Sequence, residues 1–136
     1  MKTSKEKFDN ANQKGGTKTE TPKGLMYIST PKEISEIIKK IPKGKVITVA
    51  DIANQLTKKH GADWTCPITT GIFTSLIANY SEEAGLGIPY WRVVRAKGVL
   101  YDRYLGMISH QPELLRSEGW KIVRRGKNEI PAIDLS

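Results

Sequence analysis

A single cysteine, Cys66, leaves this 136-residue chain no internal disulfide, so its stability has to come from one packed core. The two histidines, His60 and His110, share no metal-ligand spacing with that thiol, and neither a metal nor a cofactor is expected. Such cysteine usage fits a reducing, cytoplasmic compartment. Long apolar runs are missing as well. The longest uncharged stretch, Trp64 to Ser81, is interrupted by Pro67, Gly71, four threonines, two serines and an asparagine, which excludes a membrane span. The opening residues "MKTSKEKFDNANQKGG" carry positive charge with no apolar segment behind them, unlike a secretory signal.

Positive charge is what the chain has in excess. Lys and Arg total 22 against 14 Asp and Glu, a formal charge of +8. Residues 1–24 contribute +3 of that, so the remainder is basic in its own right. A polyanionic partner, nucleic acid first, is the expected consequence, and solubility is the plain alternative.

Residues 1–24 are nearly devoid of apolar side chains and predict a disordered basic tail. Residues 25–125 predict one folded domain, and 126–136 a C-terminal extension. Order begins at Thr30, Pro31 and Glu33, a capping box with proline at the first helical position. Ile34, Ile37, Ile38 and Ile41 then recur at helical spacing. Thr48 and Asp51 cap a second helix with Ile52, Ala53 and Leu56 inward. A third helix is predicted from Thr65 to about Asn79, with Ile68, Ile72, Phe73, Leu76 and Ile77 as its inner stripe. "YWRVVRAKGVLY" predicts a hairpin turning at Lys97 and Gly98, followed by a helix from about His110 to Glu118 and a last strand in "WKIVRR". The fold class is therefore mainly α with a small β wing, a winged helix-turn-helix.

The third helix is unusual for a DNA reader, because Pro67 to Asn79 holds no charged residue. Its expected outer face is Thr69, Thr70, Gly71, Thr74 and Ser75. Small residues let a helix backbone approach a minor groove closely, or equally a second helix. On the wing, Arg92, Arg95, Lys97 and Arg103 are expected to contact phosphates. Tyr90 and Trp91 are adjacent aromatics at a loop-to-strand junction. Neighbours on an extended segment point to opposite faces, so one of them is expected to face away from the core.

The order "IPKGKVITVADIANQL", then the Gly- and Thr-studded helix ending in Asn79, then "IPYWRVVRAKG", "RYLG" and "QPELLRSEGW" resembles the DNA-binding domain of the alkylguanine-DNA alkyltransferases and the alkyltransferase-like proteins. The resemblance runs from about Ile34 to Trp120. It implies that Pro89, Tyr90, Trp91 and Arg92 stand where the family carries its proline, cysteine, histidine, arginine signature. Thiol and base are both replaced. A tyrosine with a pKa of about 10 and no adjacent base is no substitute nucleophile, so the chain is expected not to be an enzyme. The resemblance also implies that Val49 replaces a tyrosine crowding the flipped nucleotide and that Thr70 replaces an arginine finger. Asn79 matches a hinge asparagine, Tyr104 and Gly106 the loop over the base pocket, and Glu118 an acid of the hydrogen-bond relay.

The implied function is non-catalytic DNA binding through the minor groove, with sensing of alkylated guanine for repair as its finer form. Tyr90, Trp91, Tyr104 and Gly106 would form the base pocket, where the two aromatics either stack on a flipped base or plug the site. The implied partners are duplex DNA, alkylated or not, and a repair protein; a monomer is expected. Two alternatives stand beside this reading. One is an enzyme using Cys66, at a helix start, as surrogate nucleophile; the other is a module that has left DNA and binds a protein or small ligand.

Overall fold

The structure is a computed structural model that describes residues 4–100, 103–104, 107–108, 111–127 and 129–134. Both capping boxes form. Thr30 accepts from the Glu33 amide and Glu33 from the Thr30 amide, starting α2 (Pro31–Lys39). Thr48 and Asp51 exchange the same pair of bonds at the start of α3 (Val49–His60), which Gly61 ends in the left-handed region at φ 64°. The third helix of the core is α4 (Pro67–Ala84), five residues longer at its C-terminus than the sequence predicts and ended by Gly85. Ile34 and Ile38 of α2, Ile52 and Leu56 of α3, and Ile77 of α4 meet in the principal core.

The tail expectation is overturned for residues 4–24. Ser4–Lys14 form helix α1, and Thr17–Thr21 form strand β1, antiparallel to β2 (Gly24–Ile28) with Thr17 opposite Ile28. Phe8 of α1 packs on the core, with its ring 5.1 Å from Tyr80 of α4, while the Asn12 side chain accepts from the Lys32 amide at 2.8 Å. A polar segment gains order here because its backbone joins a ladder; its side chains bury little.

Short strands link the helices. The pair β3 (Ile47–Thr48) and β5 (Val93–Val94) is parallel, and β2 is also parallel to β4 (Trp64–Thr65). The predicted hairpin forms only its turn. Tyr90–Arg92 is a 3-10 turn, not strand, while Gly98 donates to the Arg95 carbonyl at 3.1 Å and Arg95 to Val99 at 2.8 Å. Beyond the turn the chain leaves its expected partner: Val99 bridges Ala132, and Leu100 donates to Pro131. Val94, Leu100 and Leu115 are buried together with Ile133, and this second core explains the switch.

The wing itself is the β6 (Arg103–Tyr104) and β7 (Met107–Ile108) pair. The helix α5 (Gln111–Ser117) follows, and the strand predicted in "WKIVRR" forms as β8 (Ile122–Arg125), though it is not the last. Part of the extension is ordered too, since β9 (Ile130–Ile133) pairs antiparallel with β8. The architecture is mainly helical with small β elements and a wing.

Candidate nucleic-acid interface

Two helices and a Gly-containing turn, α3 to α4, form the helix-turn-helix, and the first turns of α4 are its outward end. Cys66 precedes α4 without a side-chain cap, and Pro67 occupies the first helical turn. In the first turns of α4 the inner and outer residues differ from the sequence expectation. Thr70 and Thr74 are fully buried, and so is nearly all of Ser75, whereas Ile68 is 73 % exposed and Ile72 51 %. Leu76 and Ile77 are buried as expected, and Phe73 packs on the core from a half-buried position.

The reason lies in how threonine satisfies itself in a helix. Thr70 Oγ1 donates to the Cys66 carbonyl and Thr74 Oγ1 to the Thr70 carbonyl, each at 2.8 Å. With its hydroxyl bonded one turn back, a threonine offers its neighbours mainly a methyl group and can be buried. Residues 70, 74, 77, 78 and 81 form one helical stripe, all buried, and Ile68 lies roughly 200° around the helix from Thr70. Of the expected DNA-facing residues on this helix, Thr69 and Gly71 stay half-exposed, and a Cβ added at Gly71 would meet nothing within 4 Å. Asn79, expected near the helix end, is instead inside α4 and buried.

In the Pro89–Arg92 segment, Tyr90 is 1 % exposed, and its hydroxyl donates a hydrogen bond to Glu82 in the last part of α4. Burial first, and then the Glu82 carboxylate, push the Tyr90 hydroxyl well above its ordinary pKa. The Trp91 ring meets Tyr90 edge-on at 5.5 Å, and Ala78 and Val49 pack around the pair. The aromatic neighbours do not split between interior and solvent, because the 3-10 turn replaces strand alternation and Trp91 too is half-buried.

Arg92 is the clearest correction among the basic residues. It is not placed for phosphate: Nη2 lies 2.6 Å from Glu118 Oε2, Nε donates to both Glu118 oxygens, and Nη1 donates to the Ile41 carbonyl at 2.8 Å. Its guanidinium also lies 5.5 Å from the Trp91 ring centre. The Arg92 hydrogen bonds hold the Glu118 carboxyl below the usual carboxylate range, against its burial. Arg95 and Lys97 are exposed, Lys97 in the left-handed region at φ 60°. The backbone of Arg103 and Tyr104 packs against α4 in β6, while Gly106 and the Arg103 and Tyr104 side chains lie outside the described residues.

Two residues of this site carry no sequence signal. Gln111, fully buried, donates from Nε2 to the Trp91 and Val93 carbonyls at 3.1 and 2.6 Å, and Glu82 closes the Tyr90 hydroxyl. Both act across the fold on partners distant in sequence. Cys66 is half-buried; burial raises its thiol pKa, but bonds from the Thr69 hydroxyl and from the Thr69 and Ile68 amides outweigh it, and the net shift is downward. Among the described residues no cluster of three His, Cys, Asp or Glu could hold a metal, and no helix is long and apolar enough to cross a membrane.

No family model matches the sequence, and no curated protein does. A solved structure does share the fold. The structure of S. pombe Atl1 in complex with damaged DNA containing O6-carboxymethylguanine superposes with a TM-score of 0.56 at 20 % identity, covering 77 % of this chain and 88 % of that one. A second structure, of S. pombe ATL in complex with DNA, covers the same shares at a TM-score of 0.48 and 18 % identity.

Proposed function

We propose that this protein binds double-stranded DNA without transferring an alkyl group from it. The observation that carries the non-catalytic half is Tyr90, a buried hydroxyl closed by Glu82 at the position where the alkyltransferase resemblance puts a thiol. Alkyl transfer needs an accessible nucleophile that gives up its proton readily, and Tyr90 is buried with its hydroxyl pushed well above its ordinary pKa by burial and by the Glu82 carboxylate. Cys66 is a weaker nucleophile candidate than its lowered pKa suggests, since its hydrogen bonds come from Thr69 and the backbone.

The DNA half is supported by the +8 charge, the helix-turn-helix, and the fold shared with a protein solved in complex with damaged DNA. The groove-facing surface in this reading is Ile68, Thr69, Gly71 and Ile72 at the start of α4, with the exposed cations Arg95 and Lys97 as phosphate contacts. Apolar side chains on a minor-groove face make shape contacts where polar readers would make base-edge hydrogen bonds. Tyr90 fills the base pocket in this reading, so binding is to the duplex itself, with alkylated guanine conferring no advantage.

Fluorescence anisotropy with two duplexes differing in one O6-alkylated guanine, at two salt concentrations, tests this. Equal affinities are expected, together with a loss of at least about tenfold in the Ile68→Asp, Ile72→Asp double variant. A lesion preference of about tenfold or more that survives high salt would restore the sensing role, with Tyr90 and Trp91 swinging out to line the pocket. An unchanged affinity in the double variant would move the interface off α4.

A further inference from the structure

Away from α4 and the Tyr90 site, a groove runs between α2 and α3. Two adjoining cavities of about 560 and 240 Å³ make it up, and Ile37, Lys40 and Gln55 line both. Its floor is apolar, formed by Ile37, Leu56, Ile41 and Ile47. Its rim is basic: Lys58 and Lys59 stand at one end, Lys40 in the middle and Lys45 at the other, all exposed.

The acids on that rim do not balance it. Glu33 is committed elsewhere, accepting from the Tyr27 hydroxyl at 2.6 Å and lying 2.5 Å from His60 Nε2, with Lys59 3.9 Å away. Those bonds hold its carboxyl below the usual range in spite of burial. Glu36 alone is left to oppose the lysines. We propose that the α2–α3 groove docks an acidic amphipathic helix of a partner protein.

Charge and shape both select that occupant. An apolar floor between basic rims is complementary to a helix with one apolar stripe and acidic flanks, the groove mode of peptide recognition. Along α2 the lining runs from Glu33 to Lys40, roughly 10 Å or two helical turns, enough to seat apolar side chains at i, i+4 and i+7 of a docked helix. A DNA backbone would meet the lysines but supplies nothing apolar for Ile37 and Ile47. The groove does not depend on the α4 surface, so its partner and a duplex could be held together.

The probe is a fluorescein-labelled peptide of about fourteen residues, with leucines at i, i+4 and i+7 and Asp or Glu at the flanking positions, titrated into the full chain by anisotropy. Saturable binding is expected, weakened about tenfold by Lys40→Glu with Lys58→Glu and at least as much by Ile37→Glu. The Ile68→Asp, Ile72→Asp variant should bind the peptide as the parent does. The surface lysine pair keeps the test decisive should Ile37→Glu disturb folding. Absence of saturable binding overturns the proposal. Equal binding of a peptide with serine in place of each leucine overturns it as well, by reducing the groove to a charged surface. So does a duplex oligonucleotide that displaces the peptide from the parent and loses affinity in the lysine pair, because the groove would then belong to nucleic acid.

Discussion

The two sides of α4 invert the usual rule of polar outside and apolar inside. One side buries Thr70, Thr74 and Ser81 against the core, while the other leaves Ile68 and Ile72 in solvent at the start of the helix. The difference between them is hydrogen-bond satisfaction. A threonine bonded to the carbonyl one turn back costs little to bury, so the interior tolerates it, and the exposed isoleucines stay outside because nothing among the described residues covers that turn. The same division separates the basic residues: Arg92 is closed into a bidentate pair with Glu118, whereas Lys97 stands on an exposed turn. Residue type did not sort these groups into inside and outside; their partners did.

The sharpest way to break this comparison is to put one charge on each side of α4. Thr74→Asp would bury an unpaired carboxylate and is expected to cost about 3–5 kcal/mol, whereas Ile72→Asp should stay within about 0.5 kcal/mol of the parent. Urea unfolding of the two variants measures both, and comparable losses would mean that the inversion is not present in solution. Next in size is the basic pair. Arg92→Ala leaves Glu118 buried without its cation and should cost about 3 kcal/mol with little direct effect on the salt dependence of DNA binding. Lys97→Gly should do the reverse, relieving the left-handed backbone by about 1 kcal/mol while lowering the salt slope of DNA binding by about one phosphate contact.

Acid should reveal the two committed carboxylates. Glu118 and Glu33 both have folded pKa values below the ordinary value of 4.5. Their contribution to stability is therefore fully present above that value and is lost as pH falls through the depressed folded values. Glu118→Gln should lose stability at neutral pH and show a shallower acid limb below about pH 4.5 than the parent; parallel limbs would indicate that the Arg92 pair does not form. A small effect is also expected from Thr70→Val, which keeps the shape and drops one hydroxyl bonded to the Cys66 carbonyl. Thermal melts should place it within about 1 kcal/mol of the parent, with DNA affinity unchanged.

Local chemistry was legible wherever a few neighbouring residues decide the outcome. Thr30 with Glu33 and Thr48 with Asp51 could be placed from sequence because each cap closes within one turn. The Tyr90–Trp91–Arg92 signature was also found by its order of residues. Its contacts were not. Glu118 lies 26 residues from Arg92, Glu82 eight from Tyr90, and Gln111 reaches back 18 to Val93, separations at which no local periodicity reports a partner. The stripe on α4 was misassigned because Leu76 and Ile77 belong to the buried surface under either choice of face, so hydropathy alone could not tell Ile68 from Thr70.

By itself the sequence determined the helical skeleton, its caps, the basic charge and the presence of Tyr90 and Trp91 before Arg92, all of which follow from residue identity and short-range bonding. The tertiary structure decided which face of α4 is solvent, that Arg92 is an internal cross-link, and that residues 4–24 are ordered. It also turned Val99 and Leu100 away from their hairpin partner toward β9. These outcomes share one physical cause. Each depends on a hydrogen-bond or packing partner supplied by a distant segment, and a polar or weakly apolar group takes its place only once that partner has been positioned by the fold.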